Sequence, residues 1–417
     1  MYDHYLEKYI ARHLNHQDDE YYKFGYRAFG PYLFGLSTWL YQELKTNNLN
    51  RILFLARDGY MVKKAFDLLF SGNDKYQEKI KSSYIYASRR SFAVPTLVNC
   101  QSPKELFEKY PYLKTSFGKA LKKLGLTNKE LDGLPEPLLN IVFNDSEELL
   151  KHQEARGVLE ALFPKIVQNS RQEATLLQAY FKQEAIQGDV ALFDIGWHGT
   201  LQKALFELKA ELSIKSVTGY YTGILPKKSE IGLTQSKGYL FDTHHGQPYY
   251  KFMGLSFPIF ERLFQPQEGS CVGFKKKEDR IVPQLEEFLH DVGSPDQRNL
   301  LAIQAGALAF VENFASDLPE DSPYWDKKDA IFWFSGFEAV IKTPTQAEAK
   351  ALGSLTLENE GEIYSLAAPK NVFAYLLRPK DLMRDFNKSW KVAFLKRLVK
   401  LPLPYYEFLK KYYKLDV

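Results

Sequence analysis

Cysteine is scarce in this chain: Cys100 and Cys271 are the only two among 417 residues. Two thiols build neither a disulfide framework nor a cysteine metal site, which fits a reducing, cytoplasmic setting. No apolar run approaches the roughly 18 residues of a membrane span. The first residues, MYDHYLEKYIARHLN, are charged and carry no apolar signal core. The formal net charge is only +4, too little to argue for nucleic acid as a partner. No GxxxxGK(S/T) string or HExxH-type spacing occurs, which removes a Walker loop and a zinc helix. Repeats and low-complexity tracts are absent as well.

What is abundant is aromatic: 27 Tyr and 30 Phe, material for a large packed core or for stacking platforms. At this length the chain holds one sizeable domain with an appendage, or two domains. Short apolar runs at Ile52–Leu55, Ser83–Ala87, Val190–Phe193, Ser216–Ile224 and Lys237–Phe241 read as strands. Helical patterns separate them, at 1–17, Arg27–Tyr41 and from Tyr60, and a Leu/Lys/Glu-rich stretch over about 100–185 reads as a helical insertion. Strands alternating with helices predict an α/β fold with a parallel sheet. The charged string KKKEDR marks a boundary near residue 276, dividing an α/β domain (1–275) from a mostly helical region (276–417) that contains helices at Leu300–Phe314 and Trp325–Ile341.

Two junctions carry the chemistry. RILFLARDGYMVKKA (51–65) and VALFDIGWHGTLQKA (190–204) each run from a buried-type strand through an Asp and Gly into a helix. Such a turn aims backbone N–H groups and a positive helix end at one spot, a site for phosphate. In the second, Gly196, Trp197, His198, Gly199 and Thr200 would close around a phosphate, with Asp194 free to bind a sugar diol. Alternatively, Asp194 only caps the helix. In the first, Arg57, Asp58 and Gly59 would hold a diphosphate, with Asp58 near a metal; the plainer reading is a surface ion pair. Ser88, Arg89 and Arg90 follow the Ser83–Ala87 strand and would lie on the same rim, where forked guanidinium bonds suit phosphate oxygens. His198, Glu261, Glu268, His244 and His245 are candidate bases. The His and Glu spacing offers no metal site of its own, so any metal is a magnesium ion carried by ligand phosphates.

The last residues, 389–417, interleave aromatics with Lys and Arg. Two readings fit: a segment lying on an anionic membrane surface, or helices docked on the body with a solvated basic face.

These residues resemble a phosphoribosyltransferase-type fold, with a Rossmann-like parallel core. More specifically, GPYLFGLSTWL, RILFLARDGYMVKKAF, YIYASRR, ALFDIGWHGTLQKAL and FERLFQPQEGS are similar to domains of bacterial capsule and O-antigen biosynthesis, often paired with a haloacid-dehalogenase-like phosphatase. The resemblance covers about residues 20–275. It implies a glycosyltransferase that moves ribofuranose 5-phosphate from phosphoribosyl pyrophosphate, with magnesium, to a glycan or lipid-linked oligosaccharide. A separate phosphatase would complete the sugar. The family's usual pair of adjacent acids and longer Thr-Gly-Gly-Thr loop is reduced here to Asp194-Ile195 and a shorter turn. The alternatives are a phosphohydrolase and a non-catalytic scaffold of a polysaccharide assembly complex. Against the first, the second acid of a DxD motif is replaced by Gly196 in one junction and by Tyr60 in the other. The protein is expected in the cytoplasm, at the inner face of the plasma membrane if the tail binds lipid.

Overall fold

The structure, a computed structural model, describes residues 1–71, 80–109, 114–225, 235–242, 248–359 and 362–415. Five strands form one all-parallel sheet: β1 (Arg51–Leu55), β2 (Lys81–Ile85), β3 (Gly188–Trp197), β4 (Ile214–Ile224) and β5 (Ser236–Phe241), in the order β2-β1-β3-β4-β5. All five expected runs are strands, each starting one or two residues earlier than expected, and two also stop elsewhere. β2 stops at Ile85, because β1 offers its last pairing there and the Ala56 N–H then closes on the Ile85 carbonyl at 2.9 Å. β3 continues past Phe193 to Trp197, because β4 keeps pairing with it through Gly196↔Gly223 and Trp197↔Ile224.

Both faces of the sheet are covered, which is why the strands read as unbroken apolar runs. Ile52, Phe54, Ala191 and Phe193 point into one apolar cluster, with Leu36 and Leu40 of helix Gly30–Thr46 and Val62 and Phe66 of helix Tyr60–Phe70. Their neighbours Leu53, Leu55, Val190 and Leu192 point into the other, with Phe92, Leu177, Phe181 and Leu205. This is the two-residue period of a strand written into packing.

The first helix is shorter than expected, His4–His13, because Asp3 caps it by accepting from the Leu6 N–H at 3.0 Å. The Arg27–Tyr41 pattern resolves into a π-helical turn, Gly25–Phe29, and helix Gly30–Thr46. The insertion is helical, dominated by the 31-residue helix Gln153–Gln183, and has its own apolar cluster around Phe117, Leu121, Phe143 and Leu159.

The KKKEDR string spans the tip of an antiparallel hairpin, Cys271–Lys277 with Arg280–Leu285, with Glu278 and Asp279 as its turn. Beyond it lie helices Pro295–Asp317 and Ala330–Lys342, the latter starting late because Asp329 supplies the N-cap. Their Phe310, Phe334 and Phe337 share the apolar cluster of Tyr32 and Phe260, so that core is continuous across residue 276. In the tail, helices Lys391–Val399 and Tyr405–Tyr413 bury Trp390, Phe394, Tyr405, Tyr406 and Leu409 in the same cluster. The Trp390 indole N–H donates to the Ile341 carbonyl at 3.3 Å. Among the described residues, no helix is long and apolar enough to cross a membrane.

Candidate functional site

From β1 the chain goes to β2 on one side and later returns to β3 on the other. Such a reversal in a parallel sheet opens a crevice beyond the carboxyl ends of the two central strands, the usual place for a ligand. Asp58 follows β1 and Asp194 lies near the end of β3, so both reach this crevice.

Glycines let the backbone turn tightly here. The Gly59 N–H bonds the Leu55 carbonyl at 2.6 Å, and a Cβ on Gly59 would stand 2.8 Å from β1 backbone atoms. The Ala56–Arg57 peptide is cis. On β3, Gly196 has φ +113° and Trp197 φ +81°, and a Cβ on Gly196 would lie 2.3 Å from the Gly223 carbonyl oxygen. A tryptophan rarely tolerates positive φ. Packing holds this one: its ring lies 4.4 Å from Phe257 and 6.1 Å from Phe241. The result places the indole N–H 3.4 Å from Glu261 Oε1, a donor to that carboxylate.

Three carboxyl groups therefore share one electrostatic environment. Asp58 and Asp194 are hydrogen-bonded to each other. Burial pushes both above the usual carboxylate range, and for Asp194 the Asp58 charge adds to it, so of the two Asp194 is the one raised further. Arg57 and Arg89 pull Asp58 back down. Glu261, from helix Phe257–Phe264, is pushed up to about 7 by burial and then by Asp58, against the Trp197 N–H, Arg89 and Arg57. Glu268 is linked to them through Tyr84: it accepts from the Tyr84 hydroxyl at 2.6 Å and the Tyr86 hydroxyl at 3.3 Å. Burial, Glu268 and the Asp58 charge all raise Tyr84, which keeps that phenol protonated.

The other expected residues divide. Arg89 is exposed and its field reaches Asp58, Asp194 and Glu261. Arg90 turns away and is clamped by Glu173 of the insertion at 2.9 and 3.2 Å. The Ser88 hydroxyl is committed to its own helix, in a reciprocal cap with Ser91. Gly199, with φ +60°, precedes helix Thr200–Glu207, which has no side-chain cap; His198 is exposed on that turn. His244 and His245 lie outside the described residues.

The residues behind Arg57 carry no sequence motif. Its guanidinium lies 3.8 Å from Glu358 Oε2, and Glu358 is buried on strand Thr356–Asn359. Arg262, wholly buried beside Glu261, donates to Asp296 at 2.8 Å, and Asp296 also accepts from the Thr356 N–H. The one available signal was a Glu-Arg pair inside the apolar run FPIFERLF, since charges there must be partnered. Nothing local marked Glu358.

Among the described residues, no group of three or more His, Cys, Asp or Glu could hold a metal ion. Asp58 and Asp194 would nonetheless suit a magnesium ion brought by a ligand, since two touching carboxyls need either a proton or a cation between them. A cavity of about 470 Å³ lies at the amino ends of the strands, lined by Asn48, Asp189, Tyr220 and Lys237. Among the described residues that line it, Asp189 is the one carboxylate and is bonded to Ser216, and no cluster of acids and arginines faces it. The crevice is the stronger candidate on its chemistry. No protein-family model matches the chain, and no curated protein sequence matches it.

Proposed function

We propose that the crevice is the donor site of a phosphoribosyltransferase-type glycosyltransferase, which moves ribofuranose 5-phosphate from phosphoribosyl pyrophosphate to a hydroxyl of a cell-surface glycan or its lipid-linked precursor. The observation that carries this reading is the meeting of Asp58, Asp194 and Glu261 with Arg57 and Arg89 at the reversal of the sheet. Arg57 and Arg89 hold the leaving diphosphate by charge-assisted bonds. Gly196 to Thr200 receive the 5-phosphate, and Asp194 accepts from the ribose hydroxyls. A magnesium ion held by Asp58 and Asp194 would neutralise diphosphate charge as it builds. The anomeric C–O bond to diphosphate breaks, a bond to the acceptor oxygen forms, and the acceptor proton passes to a carboxylate. Glu261, near 7, suits that task better than His198 or Glu268, because a base works best when its pKa is close to the working pH. Positioning and electrostatics supply most of the rate. A separate phosphatase would then remove the 5-phosphate.

Calorimetric titration of phosphoribosyl pyrophosphate with magnesium tests this directly. Binding by the wild type that disappears in Asp194→Ala is expected; no heat with the wild type, or unchanged heat in the variant, rejects the proposal.

The hydrogen-bonded Asp58–Asp194 pair also favours a second reading, phosphoester hydrolysis. Neither junction carries two acids, but the sheet order brings the second from the adjacent strand. An ionised Asp58 beside a protonated Asp194 would serve as nucleophile and acid. Release of inorganic phosphate from sugar phosphates without any acceptor would select this reading.

A further inference from the structure

Helix Val372–Leu377 presents an apolar face to solvent. Tyr375 fixes its roll: the residue is buried, its hydroxyl accepts from the Lys370 N–H at 2.9 Å and donates to Asp385 at 3.1 Å, and its ring lies 6.3 Å from Phe394. Phe373, Leu376 and Leu377 are left 73, 71 and 84% exposed. The following helix, Pro379–Lys388, buries no residue and exposes Met383. Scattered apolar residues are ordinary on a protein surface, but large ones grouped on one short helix mark a contact site.

Charge identifies what would cover this face. Residues 370–417 carry twelve Lys and Arg against four Asp and Glu, a net of +8 in a chain whose total is +4, so the other 369 residues sum to −4. Arg378 and Lys380 are exposed at the end of the apolar helix. Asp381 and Asp385 are held by Lys370 and Arg384. A second copy would bring one cationic surface against another. A nucleic acid answers the charge but has no oily interior for Phe373 and Leu377. An anionic bilayer answers both, with phosphate at the surface and acyl chains beneath.

We propose that Val372–Leu377 is an interfacial wedge that sets Phe373, Leu376 and Leu377 among the acyl chains of an anionic membrane, with Arg378 and Lys380 at the headgroups. The tail pattern in the sequence pointed downstream, to 389–417, but most of the aromatics there are core residues. The wedge does not depend on the identity of the sugar donor.

Co-sedimentation of the full chain with phosphatidylcholine vesicles, with and without phosphatidylglycerol, tests it. The wild type is expected to sediment with the anionic vesicles only, less so at high salt, and F373S/L377S to lose about tenfold or more of that binding while its circular dichroism is unchanged. Three results would overturn the proposal. One is failure of the wild type to sediment. Another is equal sedimentation by F373S/L377S, with the loss appearing in F408S/Y412S instead. The third is a lipid-free dimer that F373S/L377S converts to monomer, which would assign the face to a second copy.

Discussion

The Arg57 guanidinium lies 3.8 Å from the Glu358 carboxylate, so a strand from the C-terminal region stands directly behind the loop that follows β1. Burial raises Glu358 and Arg57 pulls it back. An aimed guanidinium loses less freedom when it grips a diphosphate than a free one. On the proposed donor reading, Glu358→Gln should therefore weaken donor binding by roughly five- to tenfold through a higher KM, with kcat less affected. Calorimetry and steady-state kinetics read the split; an unchanged KM would leave Glu358 with a purely structural role.

Asp194 yields a stability prediction with a definite sign. A carboxyl raised in the fold keeps its proton at pH values where the unfolded chain has lost it, so stability falls as pH climbs from the ordinary value of 3.8 toward the folded one. Asparagine cannot ionise. Asp194→Asn should match the wild type in stability near pH 4 and exceed it at pH 8 and, on the proposed donor reading, lose magnesium-dependent donor binding. Thermal melts at the two pH values check this, and an equal gap at both would contradict it.

If the crevice is the proposed transferase site, Glu261 should govern the basic requirement of turnover. With its carboxyl pushed up to about 7, kcat/KM should rise through that pH as the group ionises. Glu261→Gln should flatten that limb and lower the rate by about 10²–10⁴-fold, the usual worth of a positioned base. A pH–rate profile that keeps its inflection in the variant would remove Glu261 from the reaction.

Adjacent arginines should behave differently. Arg89→Ala should cost about tenfold in donor affinity and leave the melting temperature in place. Arg90→Ala should lower stability instead, and a double-mutant cycle with Glu173→Ala should show coupling of about 1 kcal/mol. Were both variants to fail alike in binding, the Glu173 clamp would not separate their roles.

Much of this architecture was legible because burial on both faces leaves each parallel strand an uninterrupted apolar run. The acids at strand ends were legible for the same reason, since a polar residue following such a run must sit on the rim. Their contact was not, because it depends on β3 lying beside β1 rather than at an edge. Arg90 read as a ligand for phosphate because its partner, Glu173, is far along the insertion. The KKKEDR string read as a boundary because a charged hairpin turn and a charged linker have the same composition. The tail was ambiguous in the same way, and only the burial of its aromatics decides which side of Trp390 faces inward.

Trp390 also governs how the chain can be cut. Ending it at Arg384 to strip away the basic terminus would leave an indole-sized hole under helix Ala330–Lys342 and an unanswered carbonyl at Ile341. A void of that kind costs about 3–5 kcal/mol, a large share of what holds an ordinary domain folded. The truncated product should collect in inclusion bodies, which makes point substitutions on the outer face the sound way to probe lipid contact.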